Sequence, residues 1–491
     1  MKLSFLHEPE LEFGNAGTHV DIRYGLIRYG PLDTGELTSP TQLRVGLVGT
    51  QETIDAVRGW LEHCKDGIPA KHSRLGNLFP QFPGFSEAST FHSSLVFHDR
   101  WSSPIRQREI ETILQHSKGE QMVREFVSLF VDHAASLLES GGPMALVCVP
   151  PMDLLAAVDG TQEPKPDAQD QELDEGTDTV DNESPTGPAF HDLLKAEGMR
   201  LGVPIQMVRP YTYGGLSRRG RVRSRRNSQP LQDEATRAWN IHTALYYKAG
   251  GVPWRLLRSA SDLASCFVGI SFYKTLEGDR LLTSVAQVFN ERGEGVIVKG
   301  AQAQISKGDR NPHLSRDDAK ALLKNAIQVY RREHRTSPAR LVVHKTSKLT
   351  TSEQQGFEAA ATEHEIDVVE LLTMRRSLTR LFRVGTYPPL RGTFLNMQPL
   401  TGLLYLRGSV QFFETYPGMY VPRPLEFLVT RSETPLEQLA KEMLSLSKLN
   451  WNNTQFDGGE PITLRAARRV GDILKCVPEG GVVQPSYRFY I

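Results

Sequence analysis

The chain has 491 residues, of which 39% are hydrophobic and 23% are charged. It is therefore long enough to bury two or three separate cores, and its composition is that of an ordinary globular protein, which excludes a peptide or a fibrous chain. Lysine plus arginine and aspartate plus glutamate both number 57, so the net charge alone gives no sign of a polyanionic partner.

The first residues and the cysteines indicate a protein of the reducing cytoplasm. His7 and Glu8 interrupt the chain before an apolar signal-peptide core forms, and no later stretch is apolar enough to span a membrane. The four cysteines lie far apart and show neither disulfide nor zinc spacing. They are Cys64, Cys148, Cys266 and Cys476. We therefore expect a cytoplasmic protein that does not enter a membrane.

The charge is unevenly distributed along the chain. Residues 159–188 hold ten acidic residues and one lysine, so this segment contributes −9 and the remainder carries +9. Its only large aliphatic residues are Leu173 and Val180, too few to offset the entropy of ordering, which predicts a disordered surface insertion. The functional alternative is a mimic of nucleic acid that screens a basic groove. A remaining body with positive excess is compatible with a polyanionic partner.

The first half of the chain alternates strand and helix patterns, as is typical of an α/β domain. The predicted elements are a strand at 44–48, a helix at 51–64, two helices across 104–139, a buried strand at 145–149, a helix at 189–200, a strand at 205–208 and a long helix at about 232–248. Gly250, Gly251 and Pro253 form a normal stop signal for the last helix. These pieces are predicted to form one domain that the acidic segment interrupts.

The pattern changes from Cys266 onward. Ser315 and Asp318 form a capping box that opens a helix reaching about residue 334. The predicted order is strands at 266–272, 281–289 and 295–299, that helix, a strand at 341–344, a helix at 352–363 and a strand at 366–371. Three strands, helix, strand, helix, strand is the order of an RNase H-like domain.

Six segments carry a resemblance to a known family: PELEFG, DIRYGLIRYGP, FPQFPGF, FHDLLKAEGMRLGVPIQMVRPYTY, LQDEATRAWNIHTALYYKAGGVPWRL and the C-terminal SYRFYI. In this order and spacing they resemble short prokaryotic Argonautes, which are made only of MID and PIWI domains. The resemblance covers nearly the whole chain. It implies an α/β fold with a Rossmann-like MID domain over 1–255 and an RNase H-like PIWI domain over 256–491.

In this family a motif of the form His, Lys, Gln, Lys holds the 5′-phosphate of a guide strand, and it maps onto His191, Lys195, Gln206 and Lys248. The first two are spaced i and i+4, so they lie on one helix face beside its N-terminal end. A terminal phosphate brings nearly two negative charges and several acceptor oxygens, which suits convergent cationic and amide donors. Singly, each residue also fits an ordinary surface or strand position.

The resemblance also implies that the terminal carboxylate of Ile491 reaches the guide phosphate through a divalent ion, for which Mg²⁺ is the expected cofactor. The tail at 487–491 is apolar enough to be docked rather than frayed.

A basic loop at 217–228 lies between the glutamine and the second lysine of the motif. Such a run suits backbone phosphates and makes binding sensitive to salt, and a solvated loop is the alternative. Its six arginines are Arg218, Arg219, Arg221, Arg223, Arg225 and Arg226.

Argonautes that cleave hold two metal ions with acidic side chains, and the matching positions here are not acidic. They are Ser271 in FVGISFYK, Thr346 in VVHKTS and Arg468 in PITLRAAR. Hydroxyl groups do not replace carboxylates in a two-metal site, and an arginine repels the ions. The nearest acids to the first two positions, Glu277 and Glu353, lie beyond the strands. We therefore expect a catalytically inactive PIWI domain and no enzyme activity.

What the resemblance then implies is recognition of complementary single-stranded DNA by a guide RNA, with specificity supplied by base pairing. Relatives of this type form a heterodimer with an APAZ-domain protein fused to an effector, which is a TIR or sirtuin-like NAD-depleting domain or a nuclease, and act in defence against phage or plasmids. Two alternatives stay open. One is an active guide-directed endonuclease, and the other is a structural subunit that binds no guide.

Overall fold

The computed structural model describes residues 1–159, 188–214, 232–257, 263–276, 280–289, 295–298, 300–305, 311–382, 384, 388–418, 421–454 and 458–491. Almost all of the acidic segment, the six arginines of the basic loop and Glu277 lie outside these residues, so the predictions made for them stay predictions. Across the described ranges, no helix has both the length and the apolar character that crossing a bilayer requires.

In the first half, the strands of the described residues are β1 (Lys2–Phe5), β2 (Leu11–Glu12), β3 (Thr18–His19), β4 (Gln42–Gly49), β5 (Ser94–Val96), β6 (Ser102–Pro104), β7 (Ala145–Val149), β8 (Ile205–Met207) and β9 (Arg255–Leu256). The helices there are α1 (Ile22–Tyr29), α2 (Gln51–His63), α3 (Gln107–His116), α4 (Gly119–Glu139), α5 (Met152–Asp159), α6 (Phe190–Gly198) and α7 (Glu234–Lys248).

A parallel sheet in the order β5-β4-β7-β8 forms the centre of this half, with β6 also paired to β4. All five residues of β7 are buried, because helices cover both faces of a parallel sheet and its central strands then have no polar side. Helices α2 and α7 begin at side-chain caps, where Thr50 and Asp233 accept a backbone N–H of the first turn. The Asp233 cap fixes where α7 starts, and the helix ends at Lys248, just before Ala249, Gly250 and Gly251.

In the second half, the described strands are β10 (Ser265–Lys274), β11 (Leu281–Phe289), β12 (Gly295–Val298), β13 (Gln304–Ile305), β14 (Pro312–His313), β15 (Arg340–Lys345), β16 (Val368–Arg376), β17 (Thr393–Gln398), β18 (Thr401–Leu404) and β19 (Leu425–Arg431). The helices are α8 (Arg316–His334), α9 (Thr351–Glu363), α10 (Leu436–Leu446) and α11 (Ile462–Leu474).

A nine-stranded sheet in the order β1-β17-β18-β19-β16-β15-β10-β11-β12 organises this half among the described residues. Strands β10, β15 and β16 run parallel to one another, and the flanking strands pair in antiparallel fashion. The predicted order of three strands, helix, strand, helix, strand is present as β10 to β16. Helix α11 packs across β10 so closely that a Cβ atom on Gly269 would lie 2.1 Å from the carbonyl oxygen of Thr463.

The N-terminal segment joins the two halves. Strand β1 pairs with β17 at one edge of the second sheet, although its residues precede the whole first half in sequence. Behind it, Lys448 donates to the carbonyl oxygen of Val20 at 2.5 Å and lies 3.4 Å from a carboxylate oxygen of Glu8. The same carboxylate pairs with Arg391 at 3.0 Å. These buried contacts fix the N-terminal segment against the second half, and the domain boundary at 255/256 stays a prediction.

Candidate functional site

The C-terminus of the chain is docked beside helix α6. Ile491 is only 5% exposed and Tyr490 is fully buried, with the Tyr490 hydroxyl donating to the carbonyl oxygen of Gln484 at 2.9 Å. The Lys195 ammonium, itself 4% exposed, donates a hydrogen bond to an oxygen of Ile491. The structure thus brings together two residues that the sequence motif assigned to one site, although they are 296 positions apart.

Lys248 is the least compensated charge in this region. Its side chain is fully buried at the end of α7, and its Nζ atom has no hydrogen-bond partner among the described residues. Burial, followed by the positive charge of Arg469, lowers the pKa of Lys248 to about 7. A buried ammonium without a partner is costly in free energy, and an anion beside it would lower that cost.

Lys248 and Arg469 act on Lys195 electrostatically. The pKa of Lys195 is lowered well below its ordinary value by burial and then by the charges of Lys248 and Arg469. Nearby charges shift a pKa in this way, so α6, α7 and α11 each bring a cationic side chain to the region where Lys195 contacts the terminal residue.

Arg469 is a member of this pocket that the sequence motif does not contain. One of its terminal nitrogens lies 2.7 Å from Nδ1 of His191 and 3.1 Å from a carboxylate oxygen of Asp192. Although burial alone would raise the pKa of Asp192, the charge of Arg469 and the hydrogen bond from His191 lower it. The sequence signal for Arg469 is the RAARR run at 465–469. Its neighbour in that run, Arg468, is the residue that the family resemblance matches to a metal position.

His191 is present in the pocket as a neutral group. Burial, followed by the charge of Arg469, lowers its pKa to about 3, so it adds no positive charge at neutral pH. Nδ1 of His191 lies 2.7 Å from a nitrogen of the Arg469 guanidinium, which only donates, and 3.0 Å from Oδ1 of Asp192, which accepts. As a neutral imidazole, His191 has a single N–H and contributes no ion pair.

Gln206 occupies β8 and is 3% exposed. Its Nε2 donates to the carbonyl oxygen of Met207 at 3.2 Å, and its buried Oε1 has no hydrogen-bond partner among the described residues. One of its two expected amide donors is therefore already used. An oxygen without a donor is also a group that a cation accepts as a ligand.

The degenerate metal positions Ser271 and Thr346 lie side by side. Strands β10 and β15 are parallel with Ile270 opposite Lys345, and the backbone N–H of Thr346 donates to the Ile270 carbonyl oxygen at 3.3 Å. Both residues thus follow the last paired residues of β10 and β15, although Ser271 still lies within β10 and pairs with Ser284 of β11. The family resemblance, which matches both residues to metal positions, likewise requires them to lie close together.

Glu353, one of the two nearest acids, is fully engaged elsewhere. It occupies the third position of α9 in a capping box with Thr350, whose backbone N–H donates to Oε2 at 2.9 Å. Its Oε1 accepts from the backbone N–H of Leu314 at 2.9 Å and pairs with the Lys345 ammonium at 3.0 Å. Both partners of this ion pair are fully buried, so the carboxylate has no capacity left for a metal ion.

Arg468 on α11 pairs with Glu460 at 2.6 Å, and Glu460 also pairs with Arg376 at the end of β16 at 3.3 Å. The structure places Arg468 in this arginine-glutamate cluster. Among the described residues, no group of three or more His, Cys, Asp or Glu side chains is arranged to hold a metal ion.

Comparisons with known proteins bear on the fold. No protein-family model matches the sequence, and no curated protein matches it either. Among solved structures, Clostridium butyricum Argonaute bound to a guide DNA and a 19-mer target DNA covers 100% of this chain with a TM-score of 0.59 at 14% sequence identity. The chain has an Argonaute-like fold. Two further structures support this. Drosophila Piwi covers 99% of this chain with a TM-score of 0.58, and Aa-Ago with externally bound siRNA covers 96% of it with a TM-score of 0.55. The sequence identity is 14% in both comparisons.

The fold-class prediction is therefore confirmed: a mixed α/β chain with parallel sheets matches the MID and PIWI portions of Argonautes. The chain covers only 55%, 56% and 53% of the three Argonaute-like structures. It thus spans about half the length of these proteins.

Proposed function

We propose that this protein anchors the 5′-phosphate of a guide RNA in the pocket formed by α6, α7, α11 and the C-terminus, and uses the guide to capture complementary single-stranded DNA. The observation that carries the proposal is the buried ammonium of Lys248, which has no hydrogen-bond partner among the described residues and acts electrostatically on Lys195 together with Arg469. A terminal phosphate brings nearly two negative charges and several acceptor oxygens, which suit such a group of cationic side chains.

The fold supports the same ligand class, since one solved Argonaute of similar fold is bound to a guide and a target strand. Within the pocket, the two lysines would supply charge-assisted hydrogen bonds to the phosphate oxygens, and His191 would be a neutral contact beside them.

A Mg²⁺ ion fits the pocket on chemical grounds. Mg²⁺ takes oxygen ligands, commonly one or two carboxylates together with substrate phosphates. The Ile491 carboxylate and Oε1 of Gln206, which has no hydrogen-bond partner among the described residues, would hold it. The ion would then supply positive charge that offsets the charge of a phosphate. Chelation of divalent ions is then expected to weaken guide binding.

The PIWI half is proposed to bind its target without cutting it. Support comes from the hydroxyl side chains at 271 and 346, from the arginine at 468, and from the engagement of Glu353 in a buried ion pair and a helix cap. The rival function, an active guide-directed endonuclease, requires acids from outside this set. A labelled complementary strand incubated with the guide-loaded protein in Mg²⁺ or Mn²⁺ separates the two, because specific product bands establish the rival.

A recognition protein without chemistry of its own needs an effector. The resemblance to short Argonautes supports a cytoplasmic heterodimer with an APAZ-domain protein whose TIR or sirtuin-like domain depletes NAD once the target is captured. Co-expression with the products of the neighbouring reading frames tests this, and the expected result is a stable complex with an APAZ-domain protein that consumes NAD only when guide and target are both present.

The guide proposal itself is tested by the nucleic acid that co-purifies with the full chain. Wild-type protein is expected to carry short RNAs with 5′-phosphate ends. Joint replacement of Lys195 and Lys248 by alanine is expected to leave the protein without them. A preparation that retains the same RNAs after both substitutions overturns the pocket, and a wild-type preparation without RNA favours the structural-subunit alternative.

A further inference from the structure

A cavity of about 330 Å³ opens at the end of the second sheet that lies opposite the degenerate metal positions. Its lining comes from the last two turns of α9, the start of β16, the turn between them and the last residue of β19. Thr346 follows the carboxyl end of β15, whereas the cavity adjoins the amino end of β16, which runs parallel to β15. Ligands of open α/β sheets bind outside the carboxyl ends of the strands, so this cavity is separate from that edge.

The floor of the cavity is apolar. Ala361, Ile366 and Val369 line it, and each is at most 4% exposed. All three belong to the core cluster that α8 and α9 form with the sheet. An occupant therefore gains free energy if it covers this floor with apolar groups of its own.

The rim of the cavity carries three carboxylates and one guanidinium group. Glu358 pairs with Arg431 at 2.7 Å, so these two charges offset each other. Glu365 and Asp367 are exposed, and their side chains have no hydrogen bond or ion pair to any residue that the structure describes. The rim thus keeps two negative charges in excess, which attract a cation and repel the phosphates of a nucleic acid.

The turn after α9 holds one of these carboxylates at the rim. The backbone N–H of Ile366 donates to the carbonyl oxygen of Ala361 at 3.0 Å, and that of Glu365 to the carbonyl oxygen of Thr362 at 3.2 Å. This is the Schellman pattern, in which the residue at position 365 is usually glycine because its φ is positive. Here φ is 58° and the residue is glutamate. The same turn brings Ile366 to the floor.

We propose that this cavity binds an arginine side chain from an extended segment of a partner protein. The guanidinium group would pair with Glu365 and Asp367, and the methylene stem would lie on the apolar floor. Long cationic side chains cover apolar surface with their stems while the charged end stays at the rim, and the planar guanidinium group matches carboxylates with paired N–H donors. Cavities of about 300 Å³ and more hold drug-sized ligands, so residues that flank the arginine also have room. The inference goes beyond the proposed function and does not depend on it.

The test measures binding of labelled peptides to the full-length protein by fluorescence anisotropy at low salt. The first peptide has two arginines separated by a leucine. The second has 2,3-diaminopropionate in place of each arginine, which keeps the charge and lacks the stem, and the third has glutamate. The arginine peptide is expected to bind about tenfold or more tightly than the diaminopropionate peptide, because only its methylene groups reach the floor. The glutamate peptide is expected not to bind.

Two variants remove charge from the rim. Glu365→Gln together with Asp367→Asn keeps the shape of both side chains and is expected to weaken binding of the arginine peptide by about tenfold or more. Glu365→Gly is expected to weaken binding as well, but to raise the urea midpoint, since glycine adopts a positive φ without strain. A purely structural role of this residue would not change stability and binding in opposite directions.

The double variant Glu62→Gln, Glu333→Gln is the matched control. Glu62 on α2 and Glu333 on α8 are exposed and do not line the cavity. Their replacement removes the same two negative charges from the protein, so the affinity for the arginine peptide is expected to equal that of wild type. Affinity for a 5′-phosphorylated RNA is expected to stay unchanged in both double variants, which keeps this test apart from that of the guide pocket.

Several outcomes overturn the proposal. They are an unchanged affinity in Glu365→Gln, Asp367→Asn, an equal loss in the control variant, and equal affinity for the arginine and diaminopropionate peptides. Sedimentation of the wild-type protein alone tests whether a second copy is the occupant. Self-association that Glu365→Gln, Asp367→Asn abolishes would assign the cavity to that second copy and contradict the partner protein.

Discussion

Replacing Lys248 with methionine is predicted to change stability and guide affinity in opposite directions. Methionine keeps a long unbranched side chain and removes the ammonium group. In the structure that ammonium is fully buried without a hydrogen-bond partner among the described residues. The variant is therefore expected to be more stable than wild type when no guide is bound, and to bind a 5′-phosphorylated guide more weakly.

The magnitude follows from the pKa of this group. The fall from 10.5 to about 7 corresponds to about 5 kcal/mol of cost for keeping the buried group charged, at 1.36 kcal/mol per tenfold change in proton affinity. Replacement of buried charges by apolar side chains recovers about 1–4 kcal/mol in practice. Loss of one partner from a buried charged contact costs a complex about 2–5 kcal/mol, which is a weakening of guide binding by about 30-fold or more.

The assay measures two quantities on each protein, the urea midpoint of the guide-free form and the dissociation constant of a labelled 5′-phosphorylated RNA. Lys448→Met is the matched control, because Lys448 is equally buried and has a pKa lowered to about 8, but donates to the carbonyl oxygens of Pro9 and Val20. Loss of these bonds is expected to lower the urea midpoint and leave guide affinity unchanged.

The reasoning is refuted if Lys248→Met lowers the stability of the guide-free protein while its affinity for the phosphorylated RNA equals that of wild type. That pattern, which is the one expected of Lys448→Met, would assign Lys248 to the structure of the core and not to an anion site.

Further predictions concern the same pocket and the degenerate positions. Because the pKa of Lys248 is lower in the folded protein than in the unfolded chain, the unfolded chain binds more protons. The free energy of unfolding of the guide-free protein is therefore expected to rise with pH from about 7 to 10.5. Urea midpoints measured across this range should rise less in Lys248→Met than in wild type. Arg469→Gln leaves Asp192 buried without its ion pair, so it is expected to lower the urea midpoint and to weaken guide binding by about tenfold or more. Adding Asp192→Asn to this variant is expected to restore the urea midpoint but not the guide affinity. Aspartates introduced at Ser271 and Thr346 are expected to yield no cleavage products with Mg²⁺ on a gel, since two carboxylates alone do not complete a two-metal site.

Local patterns were sufficient for the elements that position the pocket. The i, i+4 pair of α6, the buried strand β7 and the stop after α7 each depend on neighbouring residues, and the structure places all three where the sequence predicts. The adjacency of Ser271 and Thr346 also follows from sequence, because carboxyl ends of parallel neighbouring strands meet at one edge.

Contacts between distant segments lay beyond sequence reasoning. Arg469 meets His191 across 278 positions, and no helical or strand period links the two. Strand β1 is assigned by sequence order to the first half, but it pairs with β17 in the second sheet, since an edge strand of four residues carries no signal of its partner. The cluster around Glu460 was missed for the same reason, as its arginines come from β16 and α11.

The most direct measurement is the ratio of dissociation constants for one RNA carrying a 5′-phosphate or a 5′-hydroxyl, with wild-type protein at fixed salt. The cationic groups of Lys195 and Arg469 and the buried ammonium of Lys248, which has no partner among the described residues, predict that the phosphorylated strand binds at least about tenfold more tightly. The preference is expected to disappear in Lys248→Met. Equal affinity for the two strands in the wild-type protein would contradict the account.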